Sequence, residues 1–339
     1  MATGRWLKKM AERLEEAASS PEAQPNAPAA ERVFPRVQRA AMGSLFEIYL
    51  VGNDRDALMG AAEEALDEIT RLDRQLSHYR SESDIARINS QAATEWVRVD
   101  PDLYRLLRRC ARISEATEGA FDITTQPLVR AWGFHDGQPR VPDDAEVSAL
   151  LAKTGARHLL FDDTLSSVAF ARPGVEIALG AIGKGHALDE AAKVLRFHGV
   201  RNAVLHGGQS TILGIGEGPD GEGWLFPLHD PTDPERTLEQ VCLRDQALST
   251  SSGSEQFFES EGERYCHILD PRTGRALQGS IKAYVVAPSA AESDAWATAC
   301  CVLGAEAAAK LLAANPHIRA LIVEEPRQDG DRQITRVNL

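Results

Sequence analysis

Between Asp54 and Ser77, the apolar residues Leu58, Ala62, Ala65, Leu66, Ile69, Leu72 and Leu76 recur with the repeat of an amphipathic helix, and Asn53 or Asp54 is placed to cap it. The segment before it, SLFEIYLVG, reads as a strand. A second helix opens at Asp100-Pro101, carries Leu103, Leu106, Leu107, Cys110 and Ile113 on one face, and stops at Gly119. From Arg157 the pattern changes to strands: HLLFDD, a turn through Thr164 to Ser166, then SVAFARP and VEIALG. A glycine-rich loop follows and opens a helix from Lys184 to His198, closed by Gly199. Beyond it, RNAVLH, STILGIG, GWLFPLHD, LEQVCLRDQALST and the hairpin-like FFESEGERYCHILDP read as strands. The last third reads strand (IKAYVVAP), helix (Ser293 to Leu303), helix (Glu306 to Ala314) and two strands, ALIVEE and ITRVNL. Helices and strands mix without regular βαβ repetition, which predicts an α+β fold.

With 339 residues, 43% of them hydrophobic, the chain can bury a substantial core. Fifty acidic residues against thirty-seven basic ones give a net charge of −13, which repels nucleic acid and anionic membrane surfaces, so no nucleic-acid partner is expected. No stretch approaches the roughly 18 apolar residues of a spanning helix. Residues 1–31 read as a short polar helix and a Pro/Ala-rich linker, with a body over 32–339. The first residues lack an apolar signal region, so a cytoplasmic location is expected, with export left open. The five scattered cysteines show no C-x-x-C spacing and read as buried free thiols, in keeping with a reducing compartment.

The loop IALGAIGKGHALD, Ile177 to Asp189, suits a phosphate. Glycines let the backbone approach an anion, amides at a helix start point towards it, and Lys184 adds a mobile positive charge. The spacing matches neither of the common nucleotide-loop patterns, so its meaning depends on its companions. In HILDPRTG, a strand ends in an imidazole (His267), a carboxylate (Asp270) and a guanidinium (Arg272), although Asp-Pro-x-Thr-Gly is also a good turn sequence. Asp294 and Thr298, four residues apart near a helix start, put two hard oxygen donors on one face; they could hold Mg²⁺, while the plainer reading is a dipole-favoured Asp above a core Thr.

Together with Met42-Gly43-Ser44, Ser77-His78-Tyr79, Ser83 to Asn89, Gly119 to Thr124, Trp132-Gly133-Phe134 and Ser251-Ser252-Gly253, these segments fall in an order and spacing that resembles the ApbE family, the FAD:protein FMN transferases. The resemblance runs from about Met42 to Gly304. It implies an ApbE-like, T-fold-related α+β architecture of mixed sheets with flanking helices in two closely packed lobes. It also implies an enzyme that uses Mg²⁺ and FAD, moves FMN to a Ser or Thr hydroxyl of an acceptor flavoprotein through a phosphoester bond, and releases AMP. By resemblance, Asp294, Thr298 and the backbone carbonyl of Gly183 hold the metal. Met42, Tyr79, Asp122, Lys184, Ser251, Ser252, Gly253 and His267 line the nucleotide. Lys184 assists charge neutralisation. His267 is the expected acid or base, because histidine titrates near neutrality, and Asp270 either orients it or binds metal.

Ser44 and Ser251 stand where the family pattern has Thr, Gly183 where Ala is usual, His186 where Tyr is frequent and Gln209 where Asp is common. The same residues also serve two other readings: a hydrolase that splits FAD to FMN and AMP with water as acceptor, and an FAD-binding protein without turnover.

Overall fold

The computed structural model describes residues 32–134, 137–218, 221–254, 256–324 and 332–339; the polar helix and linker expected over 1–31 lie outside them. The fold is α+β, as expected. It divides into two compact units interleaved in sequence. One takes its described residues from Met1–Leu72, Lys184–Ser249 and Val286–Ser293, the other comprises those of Asp73–Gly183, Thr250–Val285 and Asp294–Leu339.

The first unit contains an antiparallel run in the order β1 (Arg36–Ala41), β2 (Ser44–Val51), β6 (Asn202–Gly207), β7 (Thr211–Ile215) and the first residues of β10 (Gln246–Ser252). Met42 and Gly43 join β1 to β2 with φ of 49° and 66°, the pair of left-handed conformations that a two-residue hairpin turn needs to match strand twist. Asp54, rather than Asn53, caps helix α1 (Arg55–Leu76): its Oδ1 accepts from the Ala57 amide at 3.1 Å. Leu58, Ala62, Ala65, Leu66 and Ile69 of α1 are buried, and so are Ala187, Leu188, Ala191, Ala192 and Leu195 of helix α6 (Gly183–Phe197). Each buried Leu or Ile stabilises by about 1.5–3 kcal/mol, which holds these one-sided helices in place. Gly199, at φ 76°, lets the chain leave α6 where expected. A hairpin of β8 (Trp224–His229) and β9 (Thr237–Leu243) completes the unit.

The second unit carries α2 (Asp84–Gln91), β3 (Val97–Arg98), α3 (Pro101–Ala116), α4 (Gln126–Ala131), α5 (Asp144–Leu151), β4 (Leu159–Asp162) and β5 (Ser167–Phe170). After the end of β10 come β11 (Phe257–Ser260), β12 (Glu263–Asp270), β13 (Arg275–Gln278), β14 (Ile281–Ala287), α7 (Ala290–Ala313), β15 (Arg319–Glu324) and β16 (Gln333–Val337). Strands β11-β12-β13 form a small sheet, and β10-β14-β15-β16 lie side by side in that order.

Several elements differ from expectation. The VEIALG segment is not a strand. Its backbone is satisfied by a side chain and a loop, described below. The helices expected at Ser293 to Leu303 and Glu306 to Ala314 form one run that starts at Ala290 and breaks at Gly304 (φ 76°, ψ 167°), where Glu324 Oε1 accepts from the Ala305 amide at 3.0 Å. Among the five free cysteines, Cys242 is exposed; the other four are buried, and burial pushes the Cys110 and Cys300 thiols upward. No spanning segment was expected, yet α7 is long and apolar enough by length and composition, with mean hydropathy 1.3 and 56% of that window buried inside the protein.

Candidate functional site

Most of the residues singled out by sequence belong to the second unit: Tyr79, Asp122, Gly183, Ser251, Ser252, Gly253, His267, Asp270, Asp294 and Thr298. Met42 and Lys184 belong to the first. Within the second unit the hydroxyls of Ser251 and Thr298 lie 3.2 Å apart, and Thr298 Oγ1 lies 3.5 Å from the Asp294 carbonyl. Asp294 is buried at 4% exposure, on the second turn of α7. Two residues beyond Ser251, Gly253 donates its amide to the Ile281 carbonyl at 3.0 Å and lies beside Cys266, where a Cβ would make ordinary contact at 3.4 Å from Sγ. Cys266 immediately precedes His267. One chain of contacts therefore joins the acidic helix, the serine turn and the histidine strand.

His267 is half-buried, and its Nδ1 lies 3.2 Å from the carbonyl of Gln256. A carbonyl only accepts, so Nδ1 carries the hydrogen and the lone pair of the neutral ring sits on Nε2. Asp270, expected either to orient this ring or to bind metal, makes no hydrogen bond to it among the described residues. Asp270 Oδ1 accepts from the Arg272 amide and Nε, each at 2.9 Å, and Oδ2 accepts from Arg272 Nη2 at 3.0 Å. The bidentate pair holds the Arg272 guanidinium above its usual pKa and fixes the turn. Arg272 also reaches the Val302 carbonyl on α7 at 3.5 Å and lies against Gly119, where a Cβ would stand 3.6 Å from its Cγ.

Asp122, expected at the nucleotide, is held by donors of the protein itself. Its Oδ1 accepts from the Thr124 amide and hydroxyl at 2.8 and 2.6 Å; its Oδ2 accepts from the Ala156 amide at 2.7 Å and the Ser114 hydroxyl at 3.1 Å. Four protein donors fill the sites a carboxylate offers, so Asp122 organises the loop around it. Tyr79, by contrast, is 69% exposed, its ring 3.9 Å from that of His78. Ser252 is turned inward, its hydroxyl 2.7 Å from that of Ser254.

Gly183 is buried and takes the Leu179 carbonyl at 2.7 Å through its amide. A methyl group at Gly183 would meet nothing closer than Leu179 Cβ at 3.9 Å, so Gly in place of Ala is sterically neutral. Its neighbour Lys184 is half-buried. In the first unit Gly185 is different: a Cβ would stand 2.1 Å from the Ala290 carbonyl oxygen, so only glycine lets the starts of α6 and α7 meet. Asp189, further along α6, seals that junction. Its carboxylate accepts from the amides of Ala290 and Ala291 at 2.7 and 3.0 Å and from the Ser289 hydroxyl at 2.9 Å, an N-terminal cap supplied from another helix. Asp189 closed the loop motif in sequence, yet only the fold reveals this task. Also in the first unit, His186 is buried 3.7 Å from Glu190, and Gln209 is exposed beyond Gly208.

Among the described residues no group of three or more His, Cys, Asp or Glu is placed to hold a metal ion. Asp294 and Thr298, expected at Mg²⁺, supply one carboxylate and one hydroxyl, a sparse oxygen set of the kind a cation that keeps several waters could take.

The chain is similar to known proteins over most of its length. A family model described as the ApbE family matches residues 42–322. The FAD:protein FMN transferase of Salmonella typhimurium is 31% identical over 279 residues, covering 80% of this chain and 79% of its own. The solved structure of the ApbE protein from Thermotoga maritima superposes with a TM-score of 0.78 at 30% identity, covering 89% of this chain and 97% of its own. That of the flavinyl transferase ApbE from Pseudomonas stutzeri gives 0.78 at 29% identity, covering 90% and 95%.

Proposed function

Since the chain belongs to the ApbE family, we propose that it is an FAD:protein FMN transferase that moves FMN from FAD to a Ser or Thr hydroxyl of an acceptor flavoprotein, with Mg²⁺ and with release of AMP. The observation that carries this reading is the continuous set of contacts from Asp294 and Thr298 through Ser251 and Gly253 to the residue beside His267. Asp294, Thr298 and His267 belong to one unit, which supports assigning charge neutralisation and proton acceptance to them.

In the reaction, the acceptor oxygen forms a bond to the flavin-side phosphorus, and the bridging P–O bond breaks with its electron pair leaving on AMP. The hydroxyl proton goes to His267 Nε2, the nitrogen left basic by the Nδ1 contact with Gln256. Asp294, Thr298 and the Gly183 carbonyl would hold Mg²⁺, which when bound supplies charge neutralisation at the pyrophosphate oxygens. Tyr79 offers a stacking surface for the isoalloxazine. In the first unit, Lys184 carries the positive charge and Met42 the polarisable side chain that the family resemblance assigns to the nucleotide. Asp122 and Asp270 act by holding the loops, through the donors each already has.

The test is incubation with FAD, Mg²⁺ and a candidate acceptor domain, followed by in-gel flavin fluorescence and mass spectrometry. An FMN mass on a Ser or Thr, with equimolar AMP, is the expected result. AMP without any labelled protein would mean hydrolysis, and retained FAD without product would mean a binding protein.

A further inference from the structure

Ile177 lies in an extended segment that has no strand beside it, yet it is 1% exposed, so its peptide groups need partners other than water. Asn89 supplies both. Its Nδ2 donates to the Ile177 carbonyl at 2.9 Å, and its Oδ1 accepts from the Ile177 amide at 2.8 Å. A carboxamide presents the same donor and acceptor as a peptide unit, so one side chain stands in for a neighbouring strand. Asn89 is itself firmly seated. Ile85 and Ile88 of α2 are fully buried, and Ser83 caps the helix by accepting from the Ala86 amide at 2.9 Å.

The next residues extend the anchor toward the loop. The Ala178 amide donates to the Ile123 carbonyl at 2.8 Å, and the Leu179 carbonyl accepts from Ile182 and Gly183 at 3.2 and 2.7 Å. Leu179 and Ile182 are buried, so the stretch from Ile177 to Gly183 has little freedom once its first residue is fixed. We propose that Asn89 is a positioning residue for the Gly183 carbonyl, acting through Ile177 to hold the cation-binding loop in register. This inference rests on the reading of Gly183 as a metal ligand.

The test compares Asn89→Ala and Asn89→Asp with the wild type and with Asp294→Ala. Binding of Mn²⁺ as a Mg²⁺ probe is followed by the electron paramagnetic resonance of the free ion, and amide exchange by mass spectrometry over 177–183. The expected result is at least a tenfold weaker Mn²⁺ affinity in Asn89→Ala, faster exchange in that segment, and FAD affinity without metal kept within twofold. Raising Mg²⁺ should restore turnover, separating positioning from general damage. Asn89→Asp keeps the bond from the Ile177 amide and serves as the folded variant should Asn89→Ala not fold; it too is expected to bind Mn²⁺ more weakly. A folded Asn89 variant with wild-type Mn²⁺ affinity overturns the role of Asn89 alone. Wild-type affinity that Asp294→Ala leaves unchanged overturns the metal reading, and this inference with it.

Discussion

The indole Nε1–H of Trp132 donates to the carbonyl of Gly274 at 2.9 Å, joining residues 142 apart in the chain. Two segments that the sequence offered as chemistry, Trp132-Gly133-Phe134 and His267 to Gly274, are thus also a single structural joint. Trp132 is fully buried, and with Leu128, Leu269 and Ala276 it forms the small core beneath the turn.

Trp132→Phe should remove the donor and part of the buried ring, leaving a carbonyl unsatisfied and a void, at a cost of at least about 1–3 kcal/mol in denaturant unfolding. Gly274→Ala should be worse. Its φ is 69°, and a Cβ would stand 2.7 Å from Val147 Cγ1, so positive-φ strain and overpacking add to more than about 2 kcal/mol. Wild-type unfolding midpoints in both variants would contradict the joint.

The two glycines flanking Lys184 should respond in opposite ways to the same substitution. Gly183→Ala is expected to retain full activity and stability, because the nearest atom to the new methyl is 3.9 Å away. Gly185→Ala pushes a methyl to 2.1 Å from the Ala290 carbonyl oxygen and should lower both thermal stability and transfer rate. Parallel melting curves and initial rates decide this, and equal behaviour of the two variants would refute it.

His267→Gln should lower transfer by about 10²–10⁴-fold, the usual loss for a missing general base, while fluorescence titration shows FAD still bound. Asp294→Asn should abolish Mg²⁺-dependent transfer. A His267→Gln protein that transfers FMN at the wild-type rate removes His267 from the reaction.

Acid should act on the first unit through Glu47. Burial would raise this carboxyl, but the hydrogen bonds and charges of His206 and Arg36 overcome it and lower the pKa from 4.5 to about 2. A depressed folded-state value contributes stability above pH 4.5 that is lost as pH falls toward 2. Between these values the wild type should lose stability more steeply than Glu47→Gln. Equal slopes in urea melts across that range would exclude the role.

Long periodic elements were legible in the sequence: α1, α3 and α6 begin and end within a few residues of their expected limits because apolar spacing, capping Asp residues and closing glycines all agree. Short elements such as α2, α4 and β13 were not, since one or two turns carry too little periodicity to read. The VEIALG segment looked like a strand because buried extended backbone has strand-like composition whether its partner is a strand or the side chain of Asn89. The candidate residues could be listed from sequence, but not their division of labour. Nothing in the order of residues tells that Asp270 faces Arg272 rather than His267, or that Asp189 caps α7, because both depend on contacts made after folding.

The four donors gathered on Asp122 have a consequence for how mutational data should be interpreted. Removing that carboxylate strands the amides of Thr124 and Ala156 together and unties the loop. An inactive Asp122→Ala protein would therefore carry the signature of a ligand contact in any binding screen while reporting on scaffold failure. Only melting data collected beside the screen tell the two apart.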